Sequence, residues 1–298
     1  SDPVFKQGHF VATGQWMDGW ESRRSFGRSH RQGGEDFDWC VLQLGAPGRI
    51  HGIDIDTSHF RGNAPEYASL EAANFRGEPD ENTAWIEVLP KSPTAAHSSN
   101  LYDIASEGEW THLRLKIYPD GGVARLRVYG ETRALRENFI EGELLDLASI
   151  MNGGRSLAAS DMFYSSPSNL LMPAAGANMG DGWETRRRRD NANDWCIIKL
   201  GLAGTIRKVL VDTAHFKGNF PDTFSLEAVH TDQQDITAAD IDWQVVIPRN
   251  VLHADAEHLF ITEIAVPVET QFTHVRMNIY PDGGISRLRV FGFPDWGD

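Results

Sequence analysis

Two cysteines in 298 residues are too few for a disulfide framework, and a chain of this length can bury a core without such staples. Basic residues are also scarce: 28 Lys and Arg against 42 Asp and Glu leave a net charge of −14. That balance excludes a generally basic nucleic-acid binder and disfavours docking on anionic membranes. No apolar run approaches the ~20 residues that span a bilayer. From Ser1 to Gly8 there is no positive patch followed by an apolar stretch, so no secretory leader is read there. HExxH, cysteine pairs at zinc spacing and a GxGxxG that opens a helix are all missing. A soluble, acidic, cytoplasmic protein with no nucleic-acid or membrane partner is expected, and at ~100–200 residues per domain its length points to two domains.

What the chain does contain is itself, twice. Asp18-Gly19-Trp20-Glu21-Ser22-Arg23-Arg24 returns as Asp181-Gly182-Trp183-Glu184-Thr185-Arg186-Arg187. Asp56-Thr57-Ser58-His59-Phe60-Arg61-Gly62-Asn63 returns as Asp212-Thr213-Ala214-His215-Phe216-Lys217-Gly218-Asn219. Asp38-Trp39-Cys40, Trp85 and Tyr118-Pro119-Asp120-Gly121-Gly122 recur in the same order as Asp194-Trp195-Cys196, Trp243 and Tyr280-Pro281-Asp282-Gly283-Gly284. The spacing is far beyond a solenoid unit and marks a duplicated domain.

Each copy reads as β. Residues 39–44 form a short strand that Gly45 should end. Ile53-Asp54-Ile55-Asp56-Thr57, Leu113-Arg114-Leu115-Lys116-Ile117-Tyr118 and Val275-Arg276-Met277-Asn278-Ile279-Tyr280 alternate with period two. Pro-Asp-Gly-Gly is a tight turn signal in which Asp120 and Asp282 serve as turn formers. Many short strands with turn punctuation predict a β-sandwich in each half. Residues 143–150 show helical spacing before Asn152-Gly153-Gly154, and the domain boundary is set near residue 140, giving domains 1–140 and 141–298. Cys40 and Cys196 fall on the apolar face as buried, unpaired thiols. His112 and His274 fall on the opposite face, as surface or interface residues.

The polar positions that survive in both copies are the candidate site. A repeated Arg pair in an acidic chain suits a carboxylate clamp, because guanidinium forks match carboxylates; a structural ion pair is the alternative. The last two arginines of Arg186-Arg187-Arg188-Arg189 read as surface. His59 and His215 end apolar strands where a sandwich opens to solvent, and imidazole titrates near neutral pH; a packing histidine is the competing account. Asp56 and His59 do not share a strand face, so no metal-ligand motif supports a cofactor, and a divalent metal is left open.

Several long strings resemble one family. Met179 to Arg189, Asp194-Trp195, Val211 to Pro221, Ala159-Ser160-Asp161-Met162-Phe163 and Arg276 to Gly292 are similar to allantoicases (allantoate amidinohydrolases). The resemblance implies an all-β fold of two tandem jelly-roll β-sandwich domains of the galactose-binding-like kind. It also implies hydrolysis of the small-molecule substrate allantoate to ureidoglycolate and urea in purine degradation through allantoin, by a homo-oligomer. It further implies a counterpart, ahead of the first copy, of the segment from Leu157 to Pro173; Ser1 begins too late for it. Losing one urea from allantoate calls for a carboxylate clamp, a general acid and a group that orients water. His59, His215, Glu71, Glu227, Glu21 and Glu184 are the catalytic candidates. Arg23, Arg24, Arg61, Asn63, Trp20, Arg186, Arg187, Lys217, Asn219 and Trp183 are the substrate-binding ones. A tandem non-catalytic jelly-roll ligand-binding module, or one working copy beside a supporting one, are the alternatives.

Overall fold

The computed structural model describes residues 1–12, 14–25 and 36–297. Among these, regular structure is almost entirely β, with helix confined to short 3-10 turns. None of the described helices is long and apolar enough to cross a membrane. The chain forms two compact units, Ser1–Glu131 and Thr132–Asp298, each an antiparallel β-sandwich with its own core.

In the first unit the strand Asp38–Asp56 organises the sandwich. Its start, from Asp38 to Gln43, pairs antiparallel with Trp110–Tyr118, which pairs in turn with Tyr67–Ala73 and, beyond it, Ile86–Pro93. Its end, from Gly52 to Asp56, pairs with Ser99–Asp103. The strand expected to stop at Gly45 therefore continues. A register shift between Gln43 and Gly48 absorbs the Gly-Ala-Pro-Gly stretch and lets one strand serve both parts of the sandwich. Alternation then sorts the side chains. Leu113, Leu115 and Ile117 meet Ala68, Leu70, Ile53 and Ile55 in the core, while Arg114 and Lys116 face outward beside Glu71. Each buried leucine or isoleucine among them contributes roughly 1.5–3 kcal/mol. The second unit repeats the plan around Asp194–Asp212, Thr223–Val229 and Gln271–Tyr280.

Residues 143–150 do not form the expected helix. Leu145–Asp146 is a short strand against Phe291 and Gly292. Leu147 donates its N–H to Val290 O, and its carbonyl accepts from Gly201 N–H, both at 2.8 Å. Leu145 and Leu147 are both buried in the second core, so sheet pairing with a two-residue period outweighs the local helical spacing. A 3-10 turn, Ile150–Asn152, follows and ends on Gly153 at φ 97°.

Cys196 is buried, but Cys40 is only half-buried, and both are unpaired. His112 and His274 do face away from the core strands, yet they are 3% and 5% exposed rather than surface residues. Phe75 stacks on His112 at 4.0 Å, and each ring nitrogen Nδ1 meets the hydroxyl of the preceding threonine at 2.9 Å.

Candidate active site

In each unit the strand that carries the Asp-Thr-x-His motif ends at the Asp, Asp56 or Asp212. The chain then turns: Phe60 N–H bonds Thr57 O and Phe216 N–H bonds Thr213 O, both at 3.0 Å. His59 and His215 sit in this turn with φ 72° and 73°, a left-handed conformation that histidine adopts more readily than bulky residues do. Phe60 and Phe216 are fully buried and anchor the turn. A Cβ added at Gly122 or Gly284 would overlap those rings, which is why the Pro-Asp-Gly-Gly turn needs glycine at its last position. That turn also holds the motif's end, because Gly122 N–H bonds Asn63 O and Gly284 N–H bonds Asn219 O at 2.8 Å.

The turn aspartates do more than reverse the chain. Asp120, 4% exposed, accepts from Ser25 N–H at 2.6 Å and from Arg24 Nη1 at 3.2 Å. Asp282 accepts from Arg188 N–H at 2.8 Å. Arg188, expected on the surface, is half-buried and bridges Asp190 and the buried Asp194 at 2.9 and 2.7 Å.

The same side-chain contacts recur in both units. Asn63 Nδ2 donates to Glu21 Oε1, and Asn219 Nδ2 to Glu184 Oε1, both at 2.6 Å. His59 Nε2 lies 3.3 Å from Pro3 O and His215 Nε2 2.8 Å from Gly176 O. A carbonyl only accepts, so Nε2 carries the hydrogen and Nδ1 is the lone-pair nitrogen of the neutral ring. Asp18 lies close by. Hydrogen bonds from Arg125 and Val4 N–H hold its carboxyl below the ordinary carboxylate range, and the charge of His59 adds to this. Ala177 N–H and Arg287 do the same for Asp181, with His215 adding to it. Beside His59 a cavity of about 390 Å³ is lined by Asp54, Asp56, Ser99, Arg127 and neighbours. Arg127 bridges both aspartates at 2.8 and 2.9 Å. Burial works to raise the Asp56 pKa, but hydrogen bonds from Ser58 and Arg127 outweigh it and leave the carboxyl lowered.

Other candidates lie elsewhere. Glu71 is gripped by Arg114 and Lys116 on the outer sheet face. Glu227 is held there by Arg276 Nε at 2.7 Å and Asn278 Nδ2 at 2.8 Å. Trp183 is fully buried in the core, with Nε1 donating to Asp161 O at 2.9 Å, so no indole face is left for a ligand. Trp20 is partly buried against the first core. Arg24 is tied to Asp120 and Gly62 O, and Arg186 to Asp161 at 3.1 Å while lying over Phe163. Arg187 and Arg61 are exposed, and Arg23 is exposed with a partner of its own. Among the described residues no group of three or more His, Cys, Asp or Glu is arranged to hold a metal ion.

Sequence reasoning overlooked Asp18 and Asp181 with their partners Arg125 and Arg287, paired at 2.7 and 3.1 Å. Their recurrence in Arg-Leu-Arg-Val, at 125–128 and 287–290, was the available signal. It also overlooked His97 and Asp255, which differ between the copies and so leave no trace as a repeat.

Residues 1–133 and 145–295 match the family described as the allantoicase repeat. The chain is 49% identical over 296 residues to a probable allantoicase of Pseudomonas savastanoi pv. phaseolicola, covering 97% of this chain and 86% of that protein. It is 47% identical over 299 residues to probable allantoicase 1 of Burkholderia mallei, covering 98% and 85%. The crystal structure of allantoicase from Saccharomyces cerevisiae superimposes with a TM-score of 0.71 at 32% identity, covering 98% of this chain and 84% of that one.

Proposed function

The chain belongs to the allantoicase family, and from that premise we propose that it hydrolyses allantoate to ureidoglycolate and urea. The observation that carries the reading at the level of chemistry is that both units repeat a histidine held through Nε2, an Asn-bound glutamate and a cation, His59, Glu21 and Arg61 in one and His215, Glu184 and Lys217 in the other; each set is proposed to form one rim. Allantoate bears one carboxylate and two ureido groups on a single carbon. The cation of the rim receives the carboxylate through charge-assisted hydrogen bonds. Glu21 or Glu184, oriented by its asparagine through one oxygen, accepts ureido N–H through the other. The imidazolium of His59 or His215 gives its Nδ1 proton to the departing ureido nitrogen. The C–N bond breaks, urea leaves, and an N-acyliminium cation that keeps its N–H remains on the glyoxylate carbon. Water adds to that carbon and returns a proton to the neutral ring, so one water is consumed and one urea released. Proton transfer of this kind contributes ~10²–10⁴-fold to rate.

The proposal extends to a cytoplasmic homo-oligomer, which the family resemblance supports. The test is to incubate the purified chain with allantoate, with and without chelator, and to assay urea and ureidoglycolate. Stoichiometric formation of both supports the reading. Saturable binding of allantoate with no urea released would instead favour a non-catalytic binding module.

A further inference from the structure

His59 and His215 each donate their backbone N–H to the residue facing them across the rim. His59 N–H reaches His97 Nδ1 at 2.8 Å, and His215 N–H reaches Asp255 Oδ1 at 2.7 Å. His97 and Asp255 are structurally equivalent, both left-handed at φ 54° and 51°. Each also meets the cation of the repeated motif: Arg61 Nη2 lies 2.9 Å from His97 Nε2, and Lys217 Nζ lies 3.6 Å from Asp255 Oδ2. The geometry is shared, but the chemistry is not.

Asp255 accepts from both neighbours. The His215 N–H and the charge of Lys217 hold its carboxyl below the ordinary range, so the lysine's charge is met within the protein. His97 cannot act in this way. Its Nδ1 lone pair is taken by the His59 N–H, so the proton of the neutral ring is on Nε2. That N–H points at a guanidinium N–H. Donor faces donor, and His97 offers Arg61 neither an acceptor nor a countercharge.

We infer that His97 is a specificity-determining residue that keeps Arg61 available as the carboxylate receiver of the first repeat, whereas Asp255 cancels Lys217 in the second. The substrate's carboxylate therefore binds at the His59 rim. This rests on the allantoate reading for the identity of the substrate, but not for the charge argument itself.

The second repeat supplies the natural test variant. His97→Asp places at this left-handed position the residue that Asp255 shows to fit, and it gives Arg61 an internal carboxylate. His97→Asn keeps a neutral acceptor for the His59 N–H. Two readouts are taken on the full chain: KM and kcat for allantoate, and calorimetric binding of hydantoate, which carries one carboxylate and one ureido group. Arg61→Ala and His97→Asp are expected to raise KM and weaken hydantoate binding by about tenfold or more, the loss of a charge-assisted hydrogen bond. In both, kcat should change less than KM. His97→Asn should restore most of the affinity, and Lys217→Ala should weaken binding less than Arg61→Ala does.

Wild-type affinity in His97→Asp overturns the inference. So does a larger loss in Lys217→Ala or in Arg187→Ala, whose guanidinium has no ion pair among the described residues, or a wild-type chain that does not bind hydantoate. If hydantoate binding follows the expected order but no urea is released, the functional reading fails and the subsite stands. If urea is released and neither readout responds to Arg61→Ala or His97→Asp, the subsite fails and the functional reading stands.

Discussion

Asn219 donates Nδ2 to Glu184 Oε1 at 2.6 Å, and the backbone carbonyl of the same asparagine accepts from Gly284 N–H at 2.8 Å. Glu184 lies on a two-residue strand, Trp183–Glu184, that pairs with Gly284 and Ile285. The carboxylate is thus fixed by a side chain and a turn that are both built from the repeated motifs. Asn63 and Glu21 reproduce the relationship in the first unit.

Removing the carboxylate charge while keeping its shape tests this pair. Glu21→Gln is expected to lower kcat for urea release by about tenfold to a hundredfold, the loss of a charge-assisted hydrogen bond to the ureido N–H. Glu184→Gln should lower it less, because the carboxylate is assigned to the first repeat. Circular dichroism and melting curves of both variants should match the parent. A parent-like kcat in both would remove the glutamates from the site.

Gly122→Ala and Gly284→Ala should destabilise the protein through contact with a ring rather than through backbone conformation. The new methyl would overlap Phe60 or Phe216, neither of which has exposed surface through which to move. Overpacking of this kind costs roughly 1–3 kcal/mol, measurable as a lower urea midpoint. Unchanged midpoints would show that the rings do not fix the turn.

Acid should act on His274 before it acts on the site carboxylates. Burial, with the charge of Lys199, pushes the His274 pKa down to about 4. Unfolded, the ring takes up its proton near its reference value of ~6.5. Between these values the unfolded chain binds the proton and the folded chain does not, so stability falls as pH drops from about 6.5 towards 4. The lowered carboxylates Asp18 and Asp181 act in the same direction only at lower pH, below the ordinary carboxylate range. The urea midpoint should therefore decline between pH 7 and pH 4.5, and His274→Gln should flatten that decline. An equally steep decline in the variant would assign it to other groups.

The two thiols should react in sequence. Burial pushes the Cys40 pKa up to about 11 and raises that of the fully buried Cys196 further. Because the thiolate is the nucleophile, native protein at pH 8 should release chromophore slowly from one thiol, and from the second only on unfolding. Rapid reaction of two thiols in the native state would contradict the burial of Cys196.

The sequence alone determined the duplication, the β class, the alternating strands of each copy and the turn that closes it, because alternation and Gly/Pro/Asp punctuation are local signals. It also singled out the His, Asn, Arg/Lys and Glu positions by their recurrence. Only the tertiary structure decided which of them meet. Asn63 meets Glu21, whereas Glu71 is engaged across the strands by Arg114 and Lys116. Trp183 went to the core because the strand it belongs to pairs with Gly284 and Ile285, about a hundred residues away. Residues 143–150 became extended because Val290 and Gly201 offered their backbones. His97 and Asp255 came to face the repeated cation from a distant loop. Each of these outcomes depends on a partner remote in the chain, and a hydrogen bond or a buried contact with such a partner outweighs the preferences that neighbouring residues express on their own.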